Sequence, residues 1–196
     1  IQDFKNHIFG LMVKNRNLKV AFAIGWLKAS LWAKWIYDKK RFFPILMLHG
    51  KYAGGKTQMC NWLMSMIGLR DINPDIISDR GTSEIGLSRK MAYYSSLPVF
   101  VDDYRNDESG QRFHSFFRGV FNRSAPTKGL KEDFGVRRVI IRGCLLLTGE
   151  TSPTDPALLS RIISIELTKN ERNDRYYKEL VKLEPSFNTI GLSWLK

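Results

Sequence analysis

Gly50, Gly55, Lys56 and Thr57 fall at the spacing G-x-x-x-x-G-K-T in the run Gly50-Lys51-Tyr52-Ala53-Gly54-Gly55-Lys56-Thr57. That spacing suits one task, the grip on a polyphosphate. Glycines let the backbone turn back so that its N–H groups converge on the β- and γ-phosphates. A helix starting at the end of the loop aims its positive end at the same anion. Lys56 adds a mobile positive charge, and Thr57 offers a hydroxyl to Mg2+. The expected nucleotide contacts are Gly50, Tyr52, Ala53, Gly54, Gly55, Lys56, Thr57 and Gln58.

Three further groups follow in an order that completes a site for ATP. Val99-Phe100-Val101 leads into Asp102-Asp103. The first carboxylate would hold Mg2+ through water, and the second would orient or activate the attacking water. Leu145-Leu146-Leu147 leads into Thr148-Gly149-Glu150. In a parallel sheet the ligand lies at the carboxyl ends of the strands, which places Thr148 or Glu150 near the γ-phosphate or the water. Last comes Asp155-Pro156-Ala157-Leu158-Leu159-Ser160-Arg161, directly before an apolar run. An arginine there is a candidate for neutralising charge in phosphoryl transfer, or is a plain surface or salt-bridge residue.

The elements that must position these groups are legible as changes of period. Apolar residues at Val20, Ile24, Leu27, Leu31 and Trp35 recur at helical spacing, so residues 1–41 read as a helical collar. Lysines at 19, 28 and 34 interrupt the apolar stretch 18–37, which argues for a helix packed on a domain rather than a membrane span. Residues 42–48 form a short continuous apolar run, the pattern of a strand covered on both faces. Residues 57–69 read as the helix after the glycine loop, and Ile76–Ser78 as a short strand. Thr82 or Ser83 is placed to cap a helix reaching Tyr94, and residues 97–101 read as a strand. A helix over 112–121 follows, then a bent strand over 139–147 around Gly143. Residues 155–160 form a helical turn, 162–167 a last strand and 170–184 a charged helix. Alternating strands and helices predict an α/β fold, a three-layer sandwich around a parallel sheet. The core is expected over 42–167, with the start of a helical lid over 168–196.

The chain has 196 residues and a net charge of +12. That excess favours polyanionic partners, nucleic acid before an acidic membrane surface. Cys60 and Cys144 lie apart without a CxxC partner, and His7, His49 and His114 form no ligand-spaced cluster. Both cysteines read as small core residues in a reducing compartment, and a cytoplasmic location is expected. No signal peptide is recognisable, and a start at Ile1 fits a piece of a longer protein.

With all four groups in order, the chain resembles a P-loop nucleoside triphosphatase, and more narrowly an AAA+ ATPase core. The compact spacing is similar to superfamily 3 helicases and to the ATPase domains of phage and plasmid primase-helicases. The resemblance covers roughly residues 42–167. It implies the sheet order 5-1-4-3-2, ATP with Mg2+, and a ring, usually a hexamer, with ATP between subunits. It assigns catalytic roles to Lys56, Asp102, Asp103, Glu150 and Arg161, the last acting on a neighbour's nucleotide. Two positions depart from the pattern. Many relatives carry Asn where Thr148 or Glu150 stands, and Glu where Asp103 stands.

Residues 112–142 are rich in Arg and Lys. In ring helicases the segment between the Asp-Asp strand and the next strand enters the pore. By that resemblance Arg123, Lys128 and Lys131 are the candidate contacts to a nucleic-acid backbone, while Phe113, Phe116, Phe117 and Phe121 have core spacing. The expected function is the ATPase motor of a replicative DNA helicase, from a virus or mobile element, joined to a primase or initiator module and moving on single-stranded DNA, with RNA as the other polymer. The rival expectation is a non-translocating switch or assembly ATPase acting on a protein partner. A small-molecule kinase shares the phosphate loop, but no acceptor-site signature is present.

Overall fold

In a computed structural model of the chain, the apolar run ahead of the glycine loop is a strand buried on both faces. It describes residues 2–70, 73–77, 82–124 and 140–194, together with the backbone of 128–129 and 136–137. In β1 (Ile45–His49), Ile45 and Met47 enter one hydrophobic cluster, while Leu46 and Leu48 enter another. Side chains alternate across a strand, so a strand with apolar residues at every position must be covered twice.

The covering follows from the sheet. β1 pairs in parallel with β6 (Cys144–Gly149) and β7 (Ile162–Glu166), and β6 pairs with β3 (Pro98–Tyr104). The short β2 (Asp75–Ile76) closes the edge beside β3. The order is β7-β1-β6-β3-β2, with β4 (Lys128–Gly129) and β5 (Val136–Arg137) forming a separate antiparallel pair. Counting the sheet strands alone, this is the expected 5-1-4-3-2.

One face carries α1 (Gln2–Arg16), α2 (Lys19–Ser30), α4 (Lys56–Met66), α9 (Asp174–Leu183) and α10 (Asn188–Trp194). The helices before and after the expected core thus share one hydrophobic cluster with the phosphate-loop helix. The other face carries α5 (Glu84–Tyr93), α7 (His114–Phe121) and α8 (Pro156–Leu159). Phe113, Phe116 and Phe117 lie in that second cluster, as their spacing predicted, whereas Phe121, at the end of α7, is only half-buried and stacks on Phe42 instead. Cys60 and Cys144 are both free and buried. No helix among the described residues is long and apolar enough to cross a membrane.

Several boundaries differ from the sequence reading for physical reasons. The collar helix breaks at Leu31 and resumes as α3 (Ala33–Lys40), which resets the helical phase. Trp35 is therefore 62% exposed, although its spacing from Leu31 put it on the buried stripe. α4 stops at Met66, and Gly68 takes a left-handed φ of 81°. The helix expected over 112–121 starts two residues late as α7 at His114, and a separate short α6 (Glu108–Gln111), capped by Asp107, precedes it. The charged helix begins late, after a single turn over Lys169–Glu171. Ile140 and Ile141 lie outside the sheet. Just after them Gly143 presses against Met91, its N–H donating to the Met91 carbonyl at 2.8 Å, and pairing starts only at Cys144. β3 runs through Asp102-Asp103 to Tyr104 instead of ending before them, with an irregularity between Val101 and Tyr104.

Candidate active site

A parallel sheet sorts the candidate residues between its two ends, and the carboxyl ends form a crevice for ligand. The loop after β1, the Asp102-Asp103 pair of β3 and the end of β6 all lie on that side. The loop is tied to β6, since the Gly50 N–H donates to the carbonyls of Gly149 at 3.3 Å and Glu150 at 3.2 Å. Gly50 has a φ of 143°, and a Cβ there would strike the Leu167 carbonyl oxygen. Only glycine fits both the turn and the approach. α4 begins at Lys56, so its free N–H groups face the loop. The Lys56 ammonium donates to the carbonyls of Gly50 at 2.7 Å and Lys51 at 3.1 Å, folded across its own loop. Ala53 is exposed with a φ of 60°, Tyr52 is exposed, and Gln58 is half-buried behind them.

The Thr57 hydroxyl donates to Asp102 Oδ2 at 3.3 Å. Asp102 Oδ1 accepts from the Thr148 hydroxyl and, at 2.8 Å, from the Asp103 N–H. A hydroxyl beside a braced carboxylate is a hard-oxygen pair that suits Mg2+, an ion that keeps several waters and needs few protein ligands. Among the described residues no three His, Cys, Asp or Glu side chains cluster, so a cage built from protein alone is not part of this site. Thr148 is fully buried against Asp102, which leaves the exposed Glu150 as the polar residue at this strand end that faces outward.

Asp103 takes a left-handed φ of 59°, costly for a residue with a side chain. Its carboxylate is held by a two-pronged ion pair, Arg105 Nε to Oδ1 at 3.1 Å and Nη2 to Oδ2 at 2.9 Å. The forked geometry suits guanidinium and carboxylate, and it raises the Arg105 pKa.

Arg161 lies at the opposite end of the sheet. Its carbonyl accepts from the N–H of Ile45, the first residue of β1. Its guanidinium donates to the Ala157 carbonyl and to the Ser160 hydroxyl and lies 5.6 Å from the Phe121 ring. A five-residue strand spans about 17 Å at ~3.3 Å per residue, so Arg161 stands far from the phosphate loop of its own chain. The basic segment is partly described. Arg123 follows the end of α7 with a φ of 53°, Lys128 pairs with Arg137 in the β4–β5 ladder, and Lys131 lies outside the described residues.

Among solved structures, the chain is similar to a mutant of Thermotoga maritima RuvB, with a TM-score of 0.43 and 15% identity over 79% of this chain and 48% of that one. It is also similar to the JCV helicase with a phenyl-acetamide compound bound, with a TM-score of 0.42 and 13% identity over 88% of this chain and 53% of that one. The chain thus spans about half the length of these structures, and likeness at this level carries no weight for activity. No protein-family model matches the sequence, and no curated protein matches it. What the chain itself displays is a P-loop fold with the motif, strand order and strand ends described above.

Four residues that the sequence reading passed over support the site. Arg16, at the end of α1, is 3% exposed, donates to the Thr168 carbonyl at 2.8 Å and packs against Gly55 of the loop. Burial, with Arg172 nearby, lowers its pKa. Asn106 donates to the Thr151 hydroxyl at 3.0 Å and the Ser152 carbonyl at 2.6 Å, which ties β3 to the loop after Glu150. The Tyr104 hydroxyl contacts Asn106 Oδ1 at 3.0 Å and His114 Nε2 at 2.8 Å. His114 faces Asp155, whose carboxylate also pairs with Arg118 at 2.6 Å and caps the helix before Arg161. Burial, with Asp155 and Asp107 adding to it, pushes the Tyr104 pKa up to about 12. Arg16 lies far in sequence from the loop it packs against, and the partners of Tyr104, Asn106 and His114 are set by tertiary packing that no spacing rule reveals.

Proposed function

We propose that this chain is the ATPase motor of a replicative DNA helicase. The observation that carries the ATPase part is the meeting of Thr57 and Asp102 beside the phosphate loop. These two residues would hold Mg2+, which when bound draws charge from the phosphate oxygens. Lys56 would leave the loop carbonyls and pair with the β- and γ-phosphate oxygens, exchanging neutral acceptors for charged ones. Asp103 would orient a water in line with the γ-phosphorus and take its proton as the oxygen–phosphorus bond forms. The bond to the bridging oxygen breaks and leaves ADP. Glu150 is placed to hold the same water or the γ-phosphate. The position of Arg161 supports action on a neighbour's nucleotide in a ring, with a hexamer expected.

The motor reading rests on the net charge of +12 and on the basic segment around β4 and β5. Arg123, Lys128 and Lys131 are proposed to contact single-stranded DNA. A primase or initiator module in the same polypeptide and a viral or mobile-element origin belong to this proposal. A second reading, a switch acting on a protein partner, is favoured by the exposed Phe22, Trp32 and Trp35 on the collar helices, since aromatic side chains in the open suit a protein partner. ATP turnover with and without single-stranded DNA separates the two. Clear stimulation by DNA supports the motor, and turnover indifferent to DNA and RNA overturns it in favour of the switch.

A further inference from the structure

Three cationic side chains converge on a cavity at the amino ends of the strands, across the sheet from the phosphate loop. The cavity, about 490 Å3, is lined by Lys34, Tyr37, Ser95, Ser96, Arg123 and Arg142 among others. Ser95 and Ser96 lead into β3, and Arg142 leads into β6. Arg123 lies between α7 and β4, and Arg142 follows β5, so the two arginines are the two feet of the basic segment.

The balance of charge in this cavity is unusual. The one carboxylate in its lining, Asp38, is paired with Lys34 at 2.7 Å. Arg142 is exposed and forms no ion pair among the described residues. The Arg123 guanidinium lies 5.1 Å from the Tyr37 ring, and the Tyr37 hydroxyl donates to the Asn122 carbonyl at 2.8 Å, which holds the ring in place. Arg123 Nη2 is buried and has no hydrogen-bond partner. Burial lowers the Arg123 pKa, and the nearby Arg142 acts in the same direction. A buried, unpaired donor next to a like charge costs stability unless an anion supplies acceptors. The site has guanidinium forks and two serine hydroxyls. A phosphate, with three or four oxygens, matches these donors better than a carboxylate does. Lys34, Ser95 and Arg142 are exposed, so a polymer can enter from solvent.

We propose that this cavity is a second phosphate site, which seats a backbone phosphate of single-stranded nucleic acid between Arg123 and Arg142. As a polymer contact it rests on the nucleic-acid reading of the function; as a phosphate site it does not. Arg123 and Arg142 hold the phosphate oxygens, and Ser95 and Ser96 donate their hydroxyls.

The test compares the wild-type chain with Arg142→Ala and Arg142→Lys, both at an exposed position, and with Lys34→Ala. Binding of a labelled oligothymidylate is measured without nucleotide across a salt series, and ATP binding is measured separately. Arg142→Ala is expected to weaken the oligonucleotide about tenfold, the size of one charge-assisted hydrogen bond. It should also flatten the log–log salt dependence by about 0.7, the loss of one phosphate contact on a single strand. Arg142→Lys should recover part of the affinity, and ATP binding should not change. Inorganic phosphate is titrated in parallel against the arginine side-chain signals in NMR. Unchanged oligonucleotide affinity, with phosphate shifts that Arg142→Ala removes, supports the phosphate site and overturns the polymer as its source. No response to either probe overturns the proposal. No hydrolysis is needed for either readout, so a failure of the motor reading in the turnover assay stays distinct from a failure here.

Discussion

The Thr57 hydroxyl lies 3.3 Å from Asp102 Oδ2, although 45 residues separate the two in the chain. This contact joins the first turn of α4 to the carboxyl end of β3, and the buried Thr148 holds the other carboxylate oxygen. A metal-holding role and a merely structural role for Asp102 predict different results for Asp102→Asn. The amide keeps most of the hydrogen bonds but loses the charge. Hydrolysis should fall by about 10²-fold or more, while the unfolding temperature changes little. Steady-state ATPase assays over a Mg2+ series, with thermal unfolding alongside, check this. Near-normal turnover would remove Asp102 from the site.

Arg105 grips both oxygens of Asp103, the carboxylate proposed to activate water. Both side chains are partly exposed, at 56% and 31%, so solvent screens the pair and its strength is that of a weak surface ion pair. That is enough to hold Asp103 aside in most molecules and too little to hold it there against substrate. Arg105→Ala should therefore raise basal ATP turnover about two- to fivefold, whereas Asp103→Asn should bind ATP and hydrolyse it poorly. A lower basal rate in Arg105→Ala would show that the arginine supports the carboxylate instead.

These two carboxylates mark how far the sequence could be read. The glycine loop, the buried strand before it and the order of strand ends depend on local patterns of glycine and apolar residues, and those patterns are visible in one dimension. The left-handed φ of Asp103 and its pairing with Arg105 are not, because they follow from how β3 bends beside β6 after Val101. Trp35 shows the same limit from the apolar side. A short break in the collar moved it from the expected core to the surface, and helical spacing carries no sign of such a break. Arg16 reaches the phosphate loop only because α1 packs against α2 and α9, which brings its last residue beside Gly55, a tertiary event.

Arg161 and the phosphate loop stand at opposite ends of β1. One chain cannot bring them together without dismantling its sheet. Arg161→Ala should therefore bind ATP normally and lose hydrolysis only in an assembly where neighbours complete each site. Mixing Arg161→Ala with Lys56→Ala subunits should restore part of the activity, since some interfaces then carry an intact loop and an intact arginine. Turnover of the mixture is the measurement. No recovery in a proven ring counts against action in trans.

His49 and His114 both have lowered pKa values, chiefly because burial disfavours the imidazolium. The sign follows from linkage. Above the ordinary value of 6.5 both states are neutral and neither histidine costs stability. As pH falls below 6.5 the unfolded chain takes up protons first, and the folded state loses stability until its own histidines protonate. Urea unfolding midpoints should therefore drop on acidification through this window. His114→Gln should reduce the drop while keeping a polar partner for Tyr104. A flat profile would mean that the nearby carboxylate of Asp155 outweighs burial at His114.

Asn106 joins the end of β3 to the segment after Glu150, through Thr151, Ser152 and Thr154. Its own carbonyl is fixed by Tyr104, which rests on His114 and so on Asp155. A polar network thus runs from beside the Asp102-Asp103 pair to the cap of the helix that precedes Arg161. Removing Asn106 takes no group from ATP, but it frees the backbone that carries Glu150. Asn106→Ala should then lower kcat about tenfold with little change in KM, a cost of about 1.4 kcal/mol in the transition state alone. Asn106→Asp keeps the shape and the acceptor but not the donors to Thr151 and Ser152, so it should fall with Ala. If Asp restores activity, the contact from Tyr104 matters and the link to the loop does not. If KM rises and kcat holds, Asn106 shapes the nucleotide pocket instead of positioning Glu150.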